Sequence, residues 1–152
     1  MISGYELIKF VHVLMAIVAV GFNATYGILL SRAAREPEHE SHVLRTVKVL
    51  DDRFANPAYA VLLITGLLMV GFYAPRLTEF WIAAALALYA VAVVVGAGVY
   101  TQTLRRQIAT IAEQGADSPD YRALSRRGTV VGIFLAVNVI VIVFLMVTKP
   151  IL

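Results

Sequence analysis

Residues 128–148 read GTVVGIFLAVNVIVIVFLMVT, 21 residues without an Asp, Glu, Lys or Arg. About 20 apolar residues of helix cross the hydrocarbon core of a bilayer. A helix satisfies all its backbone polar groups internally, as lipid requires. Three more charge-free runs precede this one, at 10–31, 54–75 and 80–104, with 22, 22 and 25 residues. Together the runs hold 90 of the 152 residues. The remainder is too short for a separate soluble domain. The expected fold is all-α: an antiparallel four-helix transmembrane bundle, one integral membrane domain over residues 1–152.

Composition agrees with the runs. Hydrophobic residues make up 60% of the chain and the mean hydropathy is +0.80. Soluble domains hold roughly 45–50% apolar residues. There is no cysteine, which excludes disulfides, thiolate metal sites and cysteine nucleophiles. The net charge of +3 reflects loop charges and points to no nucleic-acid partner. The first run exceeds the apolar core of a signal peptide, about 7–15 residues. Its basic residues, Arg32 and Arg35, follow the run, so it reads as a retained helix.

Lys and Arg set the orientation. Ten lie in the segments after the first and third runs: Arg32, Arg35, Arg45, Lys48, Arg53, Arg105, Arg106, Arg122, Arg126 and Arg127. Three lie on the other side: Lys9, Arg76 and Lys149. Basic loops stay in the cytoplasm. Both termini and the turn at 74–79 are therefore expected outside, in the periplasm of a bacterium whose inner membrane holds the protein.

Boundary signals refine the helices. Ser3 and Glu6 form a capping box at the first. Pro37, among Glu36, Glu38 and Glu40, suits a helix start. From there Val43, Val47, Leu50 and Phe54 recur on one face, so the second helix begins in the cytoplasm. Pro57 is expected to kink it or restart it after Asn56. Ala74-Pro75 ends it and Thr78 caps the third helix. Leu104, Ile108 and Ile111 carry the third helix past its span to a stop at Gly115. Ser118-Pro119-Asp120 opens the fourth. Helices 2, 3 and 4 are thus expected to extend into the cytoplasm.

Polar groups inside a bilayer usually face protein. His12, Ala16, Ala19, Asn23, Tyr26 and Leu30 follow three-four spacing and mark the inward seam of the first helix. His12 is the one ionisable residue well inside a run. It suits an axial haem ligand or a proton carrier at a quinone site, because neutral imidazole binds metals and titrates near physiological pH. The structural alternative is a neutral His hydrogen-bonded to a Tyr, an Asn or a backbone carbonyl, and it is preferred. No second His lies in any run, and Met69 and Met146 are the Met candidates in other runs for a second haem ligand. Asn138 reads as a register-fixing hydrogen-bonder. Asn56-Pro57 reads as a helix kink or cap. Asp51, Asp52 and Arg53 read as a solvated ion-pair group at a helix entry. His39 and His42, with Glu38 and Glu40, have metal-like spacing but read as a solvated helix start. Gly128, Gly132, Gly96 and Gly98 read as packing sites that admit close neighbours. Trp81, Tyr5 and Tyr73 fit an interfacial belt.

Residues 9–21, KFVHVLMAIVAVG, resemble the opening of a family of uncharacterised bacterial four-helix membrane proteins. Ala55-Asn56-Pro57-Ala58 and Thr65-Gly66-Leu67 extend the likeness into the second helix. An early His followed by a Gly is more distantly similar to the haem-binding protoporphyrinogen oxidase family and the copper-resistance D family. The oxidase family pairs that His with a Lys in the third helix, and the third run here holds no Lys. The resemblance implies His12 as a cofactor position and supplies no reaction. The function expected is a non-enzymatic bundle acting through partners or self-association, as a homodimer or with another membrane protein. The alternatives are a redox protein with haem b or quinone at His12, and a small-solute transporter.

Overall fold

A computed structural model describes residues 2–72 and 79–150. The described chain is helical, in six α-segments: α1 (Gly4–Ala33), α2 (Pro37–Leu50), α3 (Asn56–Phe72), α4 (Phe80–Val95), α5 (Thr101–Gln114) and α6 (Pro119–Thr148). Single π-turns join α2 to α3 at Asp51–Ala55 and α4 to α5 at Gly96–Tyr100. The segments therefore make four continuous rods, each long and apolar enough to cross a membrane.

The ends follow local chemistry. Ser3 Oγ accepts from the Glu6 amide while Glu6 accepts from the Ser3 amide at 2.8 Å, completing the capping box. Those bonds hold the Glu6 carboxyl below its ordinary range. Pro37 opens α2 with no side-chain cap. Gly115 stops α5 at a φ of 82°, a value that favours glycine, and its amide bonds the Ile111 carbonyl. Ser118 caps α6 through the Tyr121 amide at 3.2 Å. Glu79 occupies the cap position of α4 and accepts from the Trp81 indole at 2.6 Å. Thr78, expected as that cap, lies outside the described residues, as do Tyr73, Ala74-Pro75 and Arg76.

Pro57 neither breaks nor restarts the second rod. A proline ring crowds the carbonyl four residues back, here that of Arg53. The backbone widens instead: the Asn56 amide bonds the Asp51 carbonyl, five residues back. The second π-turn has the same signature, Thr101 to Gly96. A Cβ at Gly96 or Gly98 would meet nothing within 4 Å. These two glycines therefore mark a π-turn and are not the packing sites expected of them.

The rods pair as two antiparallel hairpins. In the first, α1 packs on α2 and α3; in the second, α6 packs on α4 and α5. The α1 seam reads as expected, with Ala19 and Tyr26 buried. Gly66 of α3 admits His12, whose Cε1 would lie 3.3 Å from a Cβ there. Gly128 and Gly132 of α6 admit Gln107 and Tyr100 in the same way. Asn138 donates to the Leu88 carbonyl at 3.0 Å and fixes the register of α6 on α4.

The hairpins join mainly at one end, where α2 packs on α5. The core sits there: Tyr26, Leu44, Val47, Ala55, Leu104, Ile111 and Tyr121. The buried stripe of α2 is Glu40, Leu44, Val47 and, at the π-turn, Asp51. Phe54, expected on that face, is half-exposed and stacks on Phe22. Toward the other end α3 and α4 do not pack on each other, and a cleft separates the hairpins.

Candidate functional site

The cleft encloses about 320 Å³. That is the lower end of the range for ligand pockets, about 300–1,000 Å³. Its walls come from both hairpins and are mostly apolar, with Leu63, Val93, Leu135 and Val139 among them. Its polar residues include Asn23, Asp51, Asn56, Tyr59, Tyr89 and Tyr100. Asp51 and Gly96, which begin the two π-turns, both line it. Such turns inside α-helices are rare and recur at functional sites.

Hydrogen bonds fix part of this lining. Asn23 donates to the Ala19 carbonyl at 3.0 Å and to the Tyr59 hydroxyl. The Tyr89 hydroxyl donates across the gap to the Tyr59 carbonyl at 2.6 Å, acting as a strut between α4 and α3. Tyr100 lays its ring 3.7 Å from the position a Gly132 Cβ would take. Among the described residues the buried Tyr26 hydroxyl has no hydrogen-bond partner, and it lies within electrostatic reach of Asp51, Tyr59 and Tyr100.

Asp51 departs from expectation. The solvated ion-pair group is real only for its neighbours: Lys48 pairs with Asp52, one helical turn away, and Arg53 is exposed. Asp51 itself is 8% exposed and its carboxylate accepts from Asn56 at 3.3 Å. Burial pushes its carboxyl above the usual range, and Asp52 adds to that. Lys48 and the Asn56 bond pull the other way. A carboxylate buried with so few partners is costly, and such groups concentrate at functional sites.

His12 is not among the residues lining the cleft. Its Nδ1 lies 2.8 Å from Thr65 Oγ1. That hydroxyl directs its own proton to the Val61 carbonyl at 2.7 Å, so it accepts from His12. The Leu62 backbone also bonds the ring, so an expected carbonyl partner stands beside a Thr that was not expected.

His39 and His42 are exposed, and His39 pairs with Glu38 at 3.7 Å. Glu40 turns inward, 8% exposed, and bonds the Tyr121 hydroxyl. The supposed solvated helix start is thus split between surface and core. Among the described residues no group of three His, Cys, Asp or Glu could hold a metal ion.

Three tyrosines and Asp51 went unrecognised in the sequence. The signal for Asp51 was its three-four spacing with Glu40, Leu44 and Val47. The signal for Tyr59, Tyr89 and Tyr100 was a hydroxyl inside an apolar run, which must find a partner there.

A family model described as "Predicted integral membrane protein (DUF2269)" matches residues 6–150. No curated protein and no solved structure matches the chain.

Proposed function

Because the chain belongs to this family of predicted integral membrane proteins, DUF2269, we propose a function exercised inside the bilayer. The protein is a non-enzymatic binding protein whose working part is the cleft between its hairpins. One observation carries this: two π-turns, one from each hairpin, converge on a single cavity whose polar groups include a buried carboxyl. Helix bundles build their ligand sites in this way, from side chains on facing rods.

The absence of cysteine permits a clean test. Ala97→Cys places a thiol in the cleft, and Val94→Cys places one on the lipid-facing side of α4. Thiolate reacts and thiol does not, so a thiol needs water to react. The cleft thiol should react with a membrane-permeant maleimide several times faster than the lipid-facing one. Equal rates would remove the cleft as a site.

We place the protein in a bacterial inner membrane as one domain spanning residues 1–152. Its crossings are 10–31, 54–75, 80–104 and 128–148, with both termini outside. The ten-to-three basic bias supports this orientation. The polar residues buried beyond the apolar runs, Glu40 and Gln107, support an extension of α2, α5 and the start of α6 into the cytoplasm. Self-association as a homodimer, or a complex with another membrane protein, is supported by the apolar side chains exposed along the other rods, such as Ile17 and Ile140. A single-chain mass in detergent with monomeric behaviour in bilayers would overturn it.

A second reading puts haem b or a quinone at His12. The Thr65 bond supports it, because a ligating His commonly donates its other ring N–H to an anchor, which fixes the tautomer. Protein purified from cells supplied with haem precursor should then show a Soret band that His12→Ala removes. A colourless protein would sink the haem version.

A further inference from the structure

We propose that the cleft binds an organic cation on an apolar body, an amine or quaternary ammonium, with its charge at Asp51 and its apolar part between α3 and α4. This rests on the cleft being a site. It adds the class of ligand, which follows from what lines the walls.

Among the described residues Asp51 is the only ionisable carboxyl in the lining, and no Lys, Arg or His lines the cleft. An anionic head would meet a buried carboxylate with no cation to offset it. An uncharged head could bond the tyrosines and asparagines but would add nothing to the partial offset that Lys48, outside the lining, gives Asp51. The neighbouring Lys48 is engaged with Asp52. Among the described residues the Asp51 carboxylate receives one side-chain hydrogen bond, from Asn56, and its two oxygens can accept about four. A protonated amine supplies both the missing donors and the charge, and a quaternary cation supplies the charge alone. The rings of Tyr59, Tyr89 and Tyr100 line the same space. Aromatic faces attract a cation, more strongly as water is removed. Carboxylate and tyrosine rings together form the recognition chemistry of an organic cation.

The rest of the ligand is set by depth. Asp51 lies three residues before the second apolar run, at the membrane boundary, and the cleft continues from it into the apolar region along Leu63, Val93, Leu135 and Val139. Leu63 of α3 and Val93 of α4 line the cleft and are themselves exposed, so the cleft is open on their side. An amphiphile can enter from the leaflet with its head at the boundary. Two sources carry this chemistry: a free lipophilic cation and the ammonium headgroup of a lipid.

The test uses the full chain in nanodiscs of phosphatidylglycerol, with tritiated tetraphenylphosphonium as the probe and triphenylphosphine oxide as its uncharged counterpart. The cation should bind saturably, one per chain, and the oxide at least tenfold more weakly. Asp51→Asn should weaken cation binding at least tenfold, with helix content and thermal unfolding confirming that the variant is folded. Tyr100→Leu should weaken it severalfold. Asp117→Asn, an exposed acid paired with Arg122, should leave it unchanged. Replacing part of the phosphatidylglycerol with phosphatidylethanolamine separates the sources. Competition identifies a lipid headgroup, and unchanged affinity identifies a free cation. Equal binding of oxide and cation, unaltered by Asp51→Asn, would overturn the cation while leaving the cleft as a site. No saturable binding of either probe would overturn the assignment, and the maleimide rates at Ala97→Cys would then decide the cleft separately.

Discussion

Asp51 turns inward because it continues the stripe of Leu44 and Val47, and burial there opposes its charge. The consequence for stability has a definite sign. Below the ordinary carboxyl value of about 3.9 the folded and unfolded chains are both protonated and the penalty is absent. As pH rises through that value the unfolded chain ionises freely and the folded one resists, so the folded state loses stability. Thermal unfolding in detergent should therefore show Asp51→Asn above the parent chain at pH 7, with the gap closing toward pH 4. A variant that melts lower at pH 7 would contradict the buried, poorly partnered carboxyl. Tyr121 is the converse case. Burial, together with the carboxylate of Glu40 it bonds, pushes its hydroxyl well above the usual range and keeps it a donor. Tyr121→Phe leaves Glu40 without this partner and should cost about 1–3 kcal/mol in equilibrium unfolding. Substituting both residues together, Glu40→Leu with Tyr121→Phe, should cost less than the two single changes summed.

Glycines in the rods serve two different purposes. At Gly66 an added side chain would press on the His12 imidazole, which its bond to Thr65 holds in place. Gly66→Val should force α1 and α3 apart and destabilise by about 1–3 kcal/mol, the usual cost of overpacking. At Gly98 nothing lies within 4 Å of the added carbon. Gly98→Ala should unfold no earlier than the parent chain, because alanine outranks glycine by about 1 kcal/mol in helix propensity. Thermal scans of both variants in one detergent check the contrast. If the two behave alike, the distinction between contact glycine and π-turn glycine fails. Helix existence was legible at this scale, because runs without charge have one stable form in lipid. Caps at Ser3 and Ser118 and the stop at Gly115 were legible too, since each depends on neighbours within four residues. The π-turns were not. Pro57 announces a disturbance, but whether the backbone kinks, breaks or widens depends on what the next rod lets it keep.

At the scale of the whole molecule, the orientation proposed from the basic bias predicts that Ala116→Cys, in the connection between α5 and α6, labels from the cytoplasmic side alone. Labelling by an impermeant reagent in intact cells would reverse the topology. Bundle and family were readable from four charge-free runs and a few short motifs, and the match over residues 6–150 agrees. His12 was readable as an inward polar group because its seam has one period on one helix. Its partner Thr65 was not, since that contact joins residues 53 apart. The cleft was less legible still. Its lining comes from α1, the α2–α3 rod, the α4–α5 rod and α6, and no single period relates Asn23, Asp51, Tyr89 and Leu135. The sequence by itself determined that the chain is a membrane bundle, where α1, α2 and α6 begin and α5 ends, and which face of α1 turns inward. These follow from hydrophobic length, local capping and one helical period. Only the tertiary structure decided that the hairpins part between α3 and α4, that Asp51 is buried at that gap while Asp52 is not, and that three tyrosines meet there. Those outcomes depend on how two rods from different hairpins approach, which packing sets and sequence distance does not encode.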